Sequence, residues 1–175
     1  MPTLTDSLLQ AVLDDPDDIA RRLVYADALQ EQGDPRGEFI ALHIAGRPEA
    51  ELLLKKHRKE WIAFLQPAVS RAGLRFVNGF VERITLKVAH LPLLPGFLDR
   101  EPIHEIRFRD LGGEAPRLAA MPACTRRITW LDLKQGHVSG RAFAALMAGR
   151  WDRLRRIWAP SNALGDRPER LSRHW

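Results

Sequence analysis

The chain has 175 residues, 45% of them hydrophobic, and a net charge of +5, which fits one domain or two small ones with a sizeable core. No apolar run approaches the roughly 20 residues needed to span a bilayer, and Met1-Pro2-Thr3-Leu4-Thr5-Asp6 has no basic segment leading into an apolar stretch. Neither a membrane anchor nor a signal peptide is expected, and the expected location is the cytoplasm. Cys124 is the single cysteine, which excludes an internal disulfide and any cysteine-cluster metal site. Charge is divided unevenly: residues 1–66 carry 8 Lys/Arg and 12 Asp/Glu, a net −4, whereas residues 67–175 carry 19 and 10, a net +9. A positive surface of this kind attracts acidic partners.

In chain order, residues 1–66 read as a helical domain. Thr5-Asp6-Ser7 is suited to cap a helix whose apolar side holds Leu8, Leu9, Val12 and Leu13, and Asp14-Asp15-Pro16 ends it. Asp17 and Asp18 open a second helix, with Ile19, Leu23, Ala26, Ala28 and Leu29 at helical spacing until Gly33-Asp34-Pro35. Phe39, Ile40, Leu42 and Ile44 fit a third helix. The fourth runs from about Pro48 to Gln66, carrying Leu52, Leu53, Trp61, Ile62 and Leu65, with an exposed basic run at Lys55-Lys56-His57-Arg58-Lys59.

The string from Leu9 to Asp18, followed by Arg22-Leu23-Val24-Tyr25-Ala26-Asp27-Ala28 and then Leu29-Gln30-Glu31-Gln32-Gly33-Asp34-Pro35-Arg36-Gly37-Glu38-Phe39-Ile40, resembles the bacterial repeat-companion domain. The resemblance covers roughly the first 45 residues and is carried by a long ordered string. It implies a short N-terminal module of the kind found in myxobacterial and planctomycete proteins, often ahead of leucine-rich repeats, and it implies no catalytic activity. One departure is Ala28, where the family pattern has Trp. Physically, Asp27 and Arg36 are candidates for an ion pair, Asp34 for closing the turn before Pro35, and Gly33 and Gly37 for a tight backbone. Tyr25, Asp27, Arg36 and Glu38 together would make a polar site, but capping and turn chemistry uses the same residue types and is the preferred reading.

Residues 67–175 read as a degenerate leucine-rich-repeat-like domain. Gly73 to Phe80 looks like an entry hairpin turning at Asn78-Gly79. The frame L-x-x-L-x-L-x-x-N then occurs four times in degenerate form, as Val81/Ile84/Leu86/Ala89, Ile103/Ile106/Phe108/Leu111, Ile128/Leu131/Leu133/Gly136 and Leu154/Ile157/Ala159/Asn162. The starts are 22, 25 and 26 residues apart, inside the leucine-rich-repeat range, where each unit is one short strand plus a return segment. Gly140 to Ala148 makes the best return helix. Leu91-Pro92-Leu93-Leu94-Pro95 and Met121-Pro122 interrupt the others. The fold class expected is therefore α+β to α/β, a helical cap followed by a short stack with a parallel sheet, its ends covered by the cap and by Leu164 to Trp175.

Alternation along parallel strands predicts which side chains face out. Ile84, Leu86, Ile106, Phe108, Leu131, Leu133, Ile157 and Ala159 should point inward. Three outward rows should cross the strands: Arg83, Glu105, Trp130, Arg156; then Thr85, Arg107, Asp132, Trp158; then Lys87, Arg109, Lys134, Pro160. The candidate partner-binding residues are accordingly Arg83, Lys87, Arg107, Arg109, Trp130, Lys134, Arg156 and Trp158. Tryptophan and arginine are the types most often found as energetic anchors, and exposed indoles must be covered or used.

Catalysis finds little support. The six histidines show no ligand pair at helical spacing and no nucleophile partner, no phosphate-binding Gly-rich loop is present, and adjacent His104 and Glu105 should face opposite sides. No enzyme activity, metal or cofactor is expected. The leading expectation is a peptide- or protein-binding module for acidic and apolar side chains, as in an accessory protein of a peptide-modifying pathway. The alternatives are nucleic-acid binding by the same face, and homo-oligomerisation through an open edge near Leu154 to Ala159.

Overall fold

The computed structural model describes residues 3–66 and 68–159. The described chain is an α+β/α/β fold in which helices accompany a five-stranded, mostly parallel sheet, the class expected from the sequence. It divides into two units. The first comprises residues 1–66 together with Phe76–Val81 and Asp99–Pro102, and the second holds the rest.

In the first unit, local chemistry sets the helix ends. Helix α1 spans Leu4–Asp14 and α2 spans Ile19–Glu31. The cap of α1 is Thr3 and not the expected Thr5-Asp6-Ser7: its hydroxyl accepts from the Asp6 amide at 3.1 Å while the Asp6 carboxylate accepts from the Thr3 amide at 2.8 Å. This reciprocal pair satisfies two donors that the first turn leaves free. Asp18 caps α2, accepting from Ala20 N at 2.9 Å. Helix α3, Pro35–Ile44, starts at Asp34, whose carboxylate accepts from Arg36 N at 2.8 Å, with Pro35 at the first helical position where its missing N–H costs nothing. Gly37 lets α3 lie against α2, since a Cβ there would collide with the Ala26 carbonyl oxygen. Helix α4 covers Glu49–Trp61 and gives way to a 3-10 turn at Ala63–Leu65, so the fourth helix is shorter than expected. Leu52, expected on its apolar side, is 70% exposed.

Val12, Ala26, Leu29, Ile40 and Phe80 form the core of this unit. Two arginines run through it. Arg22 is 1% exposed and donates to the carbonyls of Pro16 at 2.8 Å and Val77 at 3.2 Å. Arg36 donates to the Gly79 carbonyl at 3.2 Å and pairs with Glu101 at 2.9 Å. The Arg36 guanidinium carbon lies 5.1 Å from the Trp61 ring centroid and 5.7 Å from those of Phe76 and Phe80. Aromatic faces and a buried carboxylate thus replace the water a guanidinium would otherwise hold. The expected Asp27–Arg36 pair does not form. Asp27 and Glu38 are exposed, and Arg36 turns inward to the more distant Glu101 because burial strengthens that attraction. Tyr25 packs on Phe80 with centroids 5.9 Å apart, and burial pushes its phenol up to about 12.

The sheet is ordered β1-β2-β3-β4-β5, with β1 at Leu74–Val77, β2 at Phe80–Lys87, β3 at Glu105–Arg109, β4 at Trp130–Gln135 and β5 at Arg156–Trp158. The turn joining β1 to β2 has Asn78 at φ 48° and Gly79 at φ 84°, the left-handed pair of a tight hairpin. A Cβ on Gly79 would sit 2.6 Å from the Ile40 backbone, so both conformation and space require glycine there. From β2 to β5 every neighbouring pair is parallel. The return segments hold α5 (Leu94–Leu98), α6 (Ala115–Ala119), α7 (Pro122–Arg127) and α8 (Gly140–Met147). The prolines expected to interrupt helix shorten it instead: Pro92 lies in a 3-10 segment, Val88–Leu93, and Pro95 and Pro122 occupy the first turns of α5 and α7, where no i−4 bond is lost. Ile84, Leu86, Ile106, Phe108, Leu131 and Leu133 are fully buried beneath the sheet, while Ile157 on the last strand is half-buried.

Candidate functional site

The parallel registry creates the open face. Arg83 is opposite Glu105, Glu105 opposite Trp130, and Trp130 opposite Arg156. The next row runs from Thr85 to Arg107, Asp132 and Trp158. Both are the rows that strand alternation predicts. The third departs from expectation after Lys87 and Arg109, because Arg109 aligns with Gln135 and not with Lys134. The departure coincides with a bulge in β4, where the Asp132 carboxylate accepts from the Lys134 amide at 3.0 Å and so bends its own strand. Pro160, the row's expected last member, lies outside the described residues, as does the segment Leu164 to Trp175.

Electrostatically the face is not the uniform cationic surface that a count of Arg and Lys suggests. Arg83 is paired with Glu105 and lies 4.6 Å from the centroid of Trp130. Arg107 binds Asp132 at 2.6 Å, and Asp132 is only 3% exposed. These two cations are therefore spent in holding the face together. Lys87, Arg109 and Arg156 are exposed with no carboxylate partner among the described residues, and Lys134 has its ammonium 5.9 Å from the ring of Trp158. Lys87 and Arg109 end adjacent strands at their carboxyl edge. Sequence reasoning placed Glu105 and Asp132 in the correct rows but missed their neutralising role, for which the signal was their position one strand away from Arg83 and Arg107.

The indoles differ. Trp158 is 55% exposed on β5, the last strand of the sheet. Trp130 is half-buried between neighbours, and its ring N–H is buried without an acceptor among the described residues. A donor in that state costs roughly 1–3 kcal/mol until an acceptor reaches it. Two indoles on β4 and β5, with Arg156 beside Trp130 and Lys134 beside Trp158, followed by Arg109 and Lys87 on β3 and β2, make a face whose indoles lie toward one end and whose cations run along its length.

Elsewhere the chemistry is sparse. His137 Nδ1 lies 2.9 Å from Asp110 Oδ1 at the carboxyl ends of β4 and β3, both residues exposed and both in left-handed backbone conformations. His104 Nε2 is 3.7 Å from Glu82 and does not converge with its neighbour Glu105. A cavity of about 430 Å3 lies among the return segments, lined by Pro122, Thr125, Arg126, Arg150 and Asp152. Among the described residues no group of three His, Cys, Asp or Glu is placed to hold a metal ion, and no helix is long and apolar enough to cross a membrane. Burial pushes the Cys124 thiol up to about 12, away from nucleophilic chemistry.

Comparison of the chain with protein-family models, with curated proteins and with solved structures finds no match.

Proposed function

We propose that this chain is a non-catalytic protein-interaction module whose open sheet face takes a peptide or protein segment with acidic and apolar side chains. The observation that carries the reading is the placement of two indoles and three cations, Lys87, Arg109 and Arg156, that have no carboxylate partner among the described residues on one registered face, with Arg83 and Arg107 already neutralised. A ligand gains most by covering Trp158 and presenting carboxylates to Lys87, Arg109 and Arg156. Consecutive parallel strands with short return segments support reading this unit as a leucine-rich-repeat-like stack. The resemblance of the first 45 residues to the repeat-companion domain supports it, and the role we propose is that of an accessory protein of a peptide-modifying pathway.

Fluorescence anisotropy with three labelled probes tests the reading: a Leu/Glu helical peptide, its Leu/Lys counterpart and a single-stranded oligonucleotide. The Leu/Glu peptide should bind, and Lys87→Glu with Arg109→Glu should weaken it at least tenfold. Equal binding of the Leu/Lys peptide, or no effect of the double substitution, would overturn the reading. Oligonucleotide binding that falls steeply with salt, in the absence of peptide binding, would transfer the face to nucleic acid.

A further inference from the structure

The chain also carries a surface with the chemistry that this face selects. Helix α2 buries Arg22, Ala26 and Leu29 on one side. At 3.6 residues per turn its opposite side presents Ile19, Ala20, Leu23, Val24, Asp27 and Glu31 within an arc of about 140°. All six are exposed: Ile19 by 37%, Leu23 by 36% and Val24 by 51%, and no cation falls inside the arc. Its first half is apolar and its second half acidic.

We infer that the open sheet face of one copy receives the exposed face of α2 from a second copy, so that the chain assembles head to tail. This rests on the proposed reading of the sheet as a binding face and names its partner. Spacing supports the pairing. The middle of the apolar group on α2 and the middle of its carboxylate pair are about 11 Å apart along the axis, at a rise of about 1.5 Å per residue. On the sheet, the indole pair and the Lys87 and Arg109 pair are two strand spacings apart across the strands and about three residues apart along them, a diagonal of about 14 Å between backbone positions, and the long Lys87 and Arg109 side chains span the difference. A helix laid diagonally across the strands therefore sets Ile19, Leu23 and Val24 toward Trp158 and Trp130 while Asp27 and Glu31 meet Arg109 and Lys87, a helix-on-groove recognition. Charge favours the encounter at longer range, since residues 1–66 are net −4 and residues 67–175 net +9. The two surfaces are different, so the contact is heterologous and leaves one of each free on every pair, which extends the assembly.

Light scattering after size exclusion tests this with the full chain and two exposed-surface variants, one carrying Arg109→Glu with Trp158→Ala, the other Val24→Lys with Asp27→Lys. Wild type should grow in apparent mass from micromolar to several hundred micromolar concentration and shrink towards 19.9 kDa in molar salt. Each variant alone should remain monomeric. Mixed in equal amounts they should form one complex of twice the chain mass, because each retains the surface the other has lost; this also shows that both are folded. A monomeric wild type, a variant that assembles as wild type does, or a mixture that stays monomeric would overturn the inference. If the wild type is monomeric and still binds the Leu/Glu peptide, the binding face stands and only the identity of its occupant falls.

Discussion

Substituting Arg36 by Met isolates the buried ion pair of the helical unit. The change keeps most of the side-chain volume against Trp61, Phe76 and Phe80, yet strips Glu101 of its guanidinium partner at 2.9 Å. Glu101 is 4% exposed and retains the Val81 amide, which it accepts at 2.7 Å. Breaking a buried pair from one side costs about 3–5 kcal/mol, while the methionine thioether keeps part of the ring contacts, so the stranded charge is the main loss. With a urea slope of about 2 kcal/mol per molar, the midpoint followed by far-ultraviolet circular dichroism should fall by about 1.5–2.5 M. The pH dependence is distinctive. In the native protein burial raises the Glu101 carboxyl above its ordinary value, against the lowering pull of Arg36. A raised folded pKa gives stability that is complete below the unfolded value and lost as pH rises through the folded one. Removing Arg36 raises the folded pKa further, so the variant's deficit relative to wild type should widen from acid towards neutrality by about 1.4 kcal/mol per additional pKa unit. Adding Glu101→Gln should recover part of the loss. A deficit that grows in acid, or a double variant as unstable as Arg36→Met alone, would refute the reasoning.

Three further outcomes follow from the geometry. Gly79→Ala should cost about 2–4 kcal/mol in thermal unfolding, since it adds both left-handed strain and a collision with Ile40. Arg107→Ala should cost about 1–3 kcal/mol by leaving Asp132 buried without its cation, whereas Arg109→Ala should change stability by no more than about 0.5 kcal/mol; comparable losses would contradict the division between structural and free cations. Cys124 should resist alkylation in the folded protein and react only after denaturant unfolds it; rapid labelling under native conditions would disprove its burial and raised pKa.

Periodicity made the strands and two of the three outward rows legible. A spacing of two along each strand and a common frame between strands leave only one register that buries Ile84, Ile106 and Leu131 together. The third row was not legible because the bulge in β4 arises from a side chain bonding to its own backbone, which leaves no trace in hydrophobic spacing. The helix ends followed turn chemistry at Asp18 and Asp34, while the α1 cap moved upstream because Thr3 and Asp6 satisfy each other in a way Thr5 has no partner to match. Arg36 shows the other limit. Asp27, the partner expected from the sequence, lost to a carboxylate 65 positions away, since what selects a partner for a buried cation is shared removal from water, a property of the folded chain.

The helical unit draws segments 76–81 and 99–102 from beyond its four helices, and this dictates an order of events during synthesis. The helices leave the ribosome first, but Arg22 then has no Val77 carbonyl and Arg36 no Glu101. Until residue 77 has emerged Arg22 lacks its second carbonyl, and until residue 101 has emerged the Arg36 guanidinium must keep its water and the aromatic rings that later enclose it stay partly open. A nascent chain stalled at residue 66 therefore exposes an unfinished interior to chaperones and proteases, and vectorial folding of this unit is completed late, by a single glutamate from the far side of the second strand.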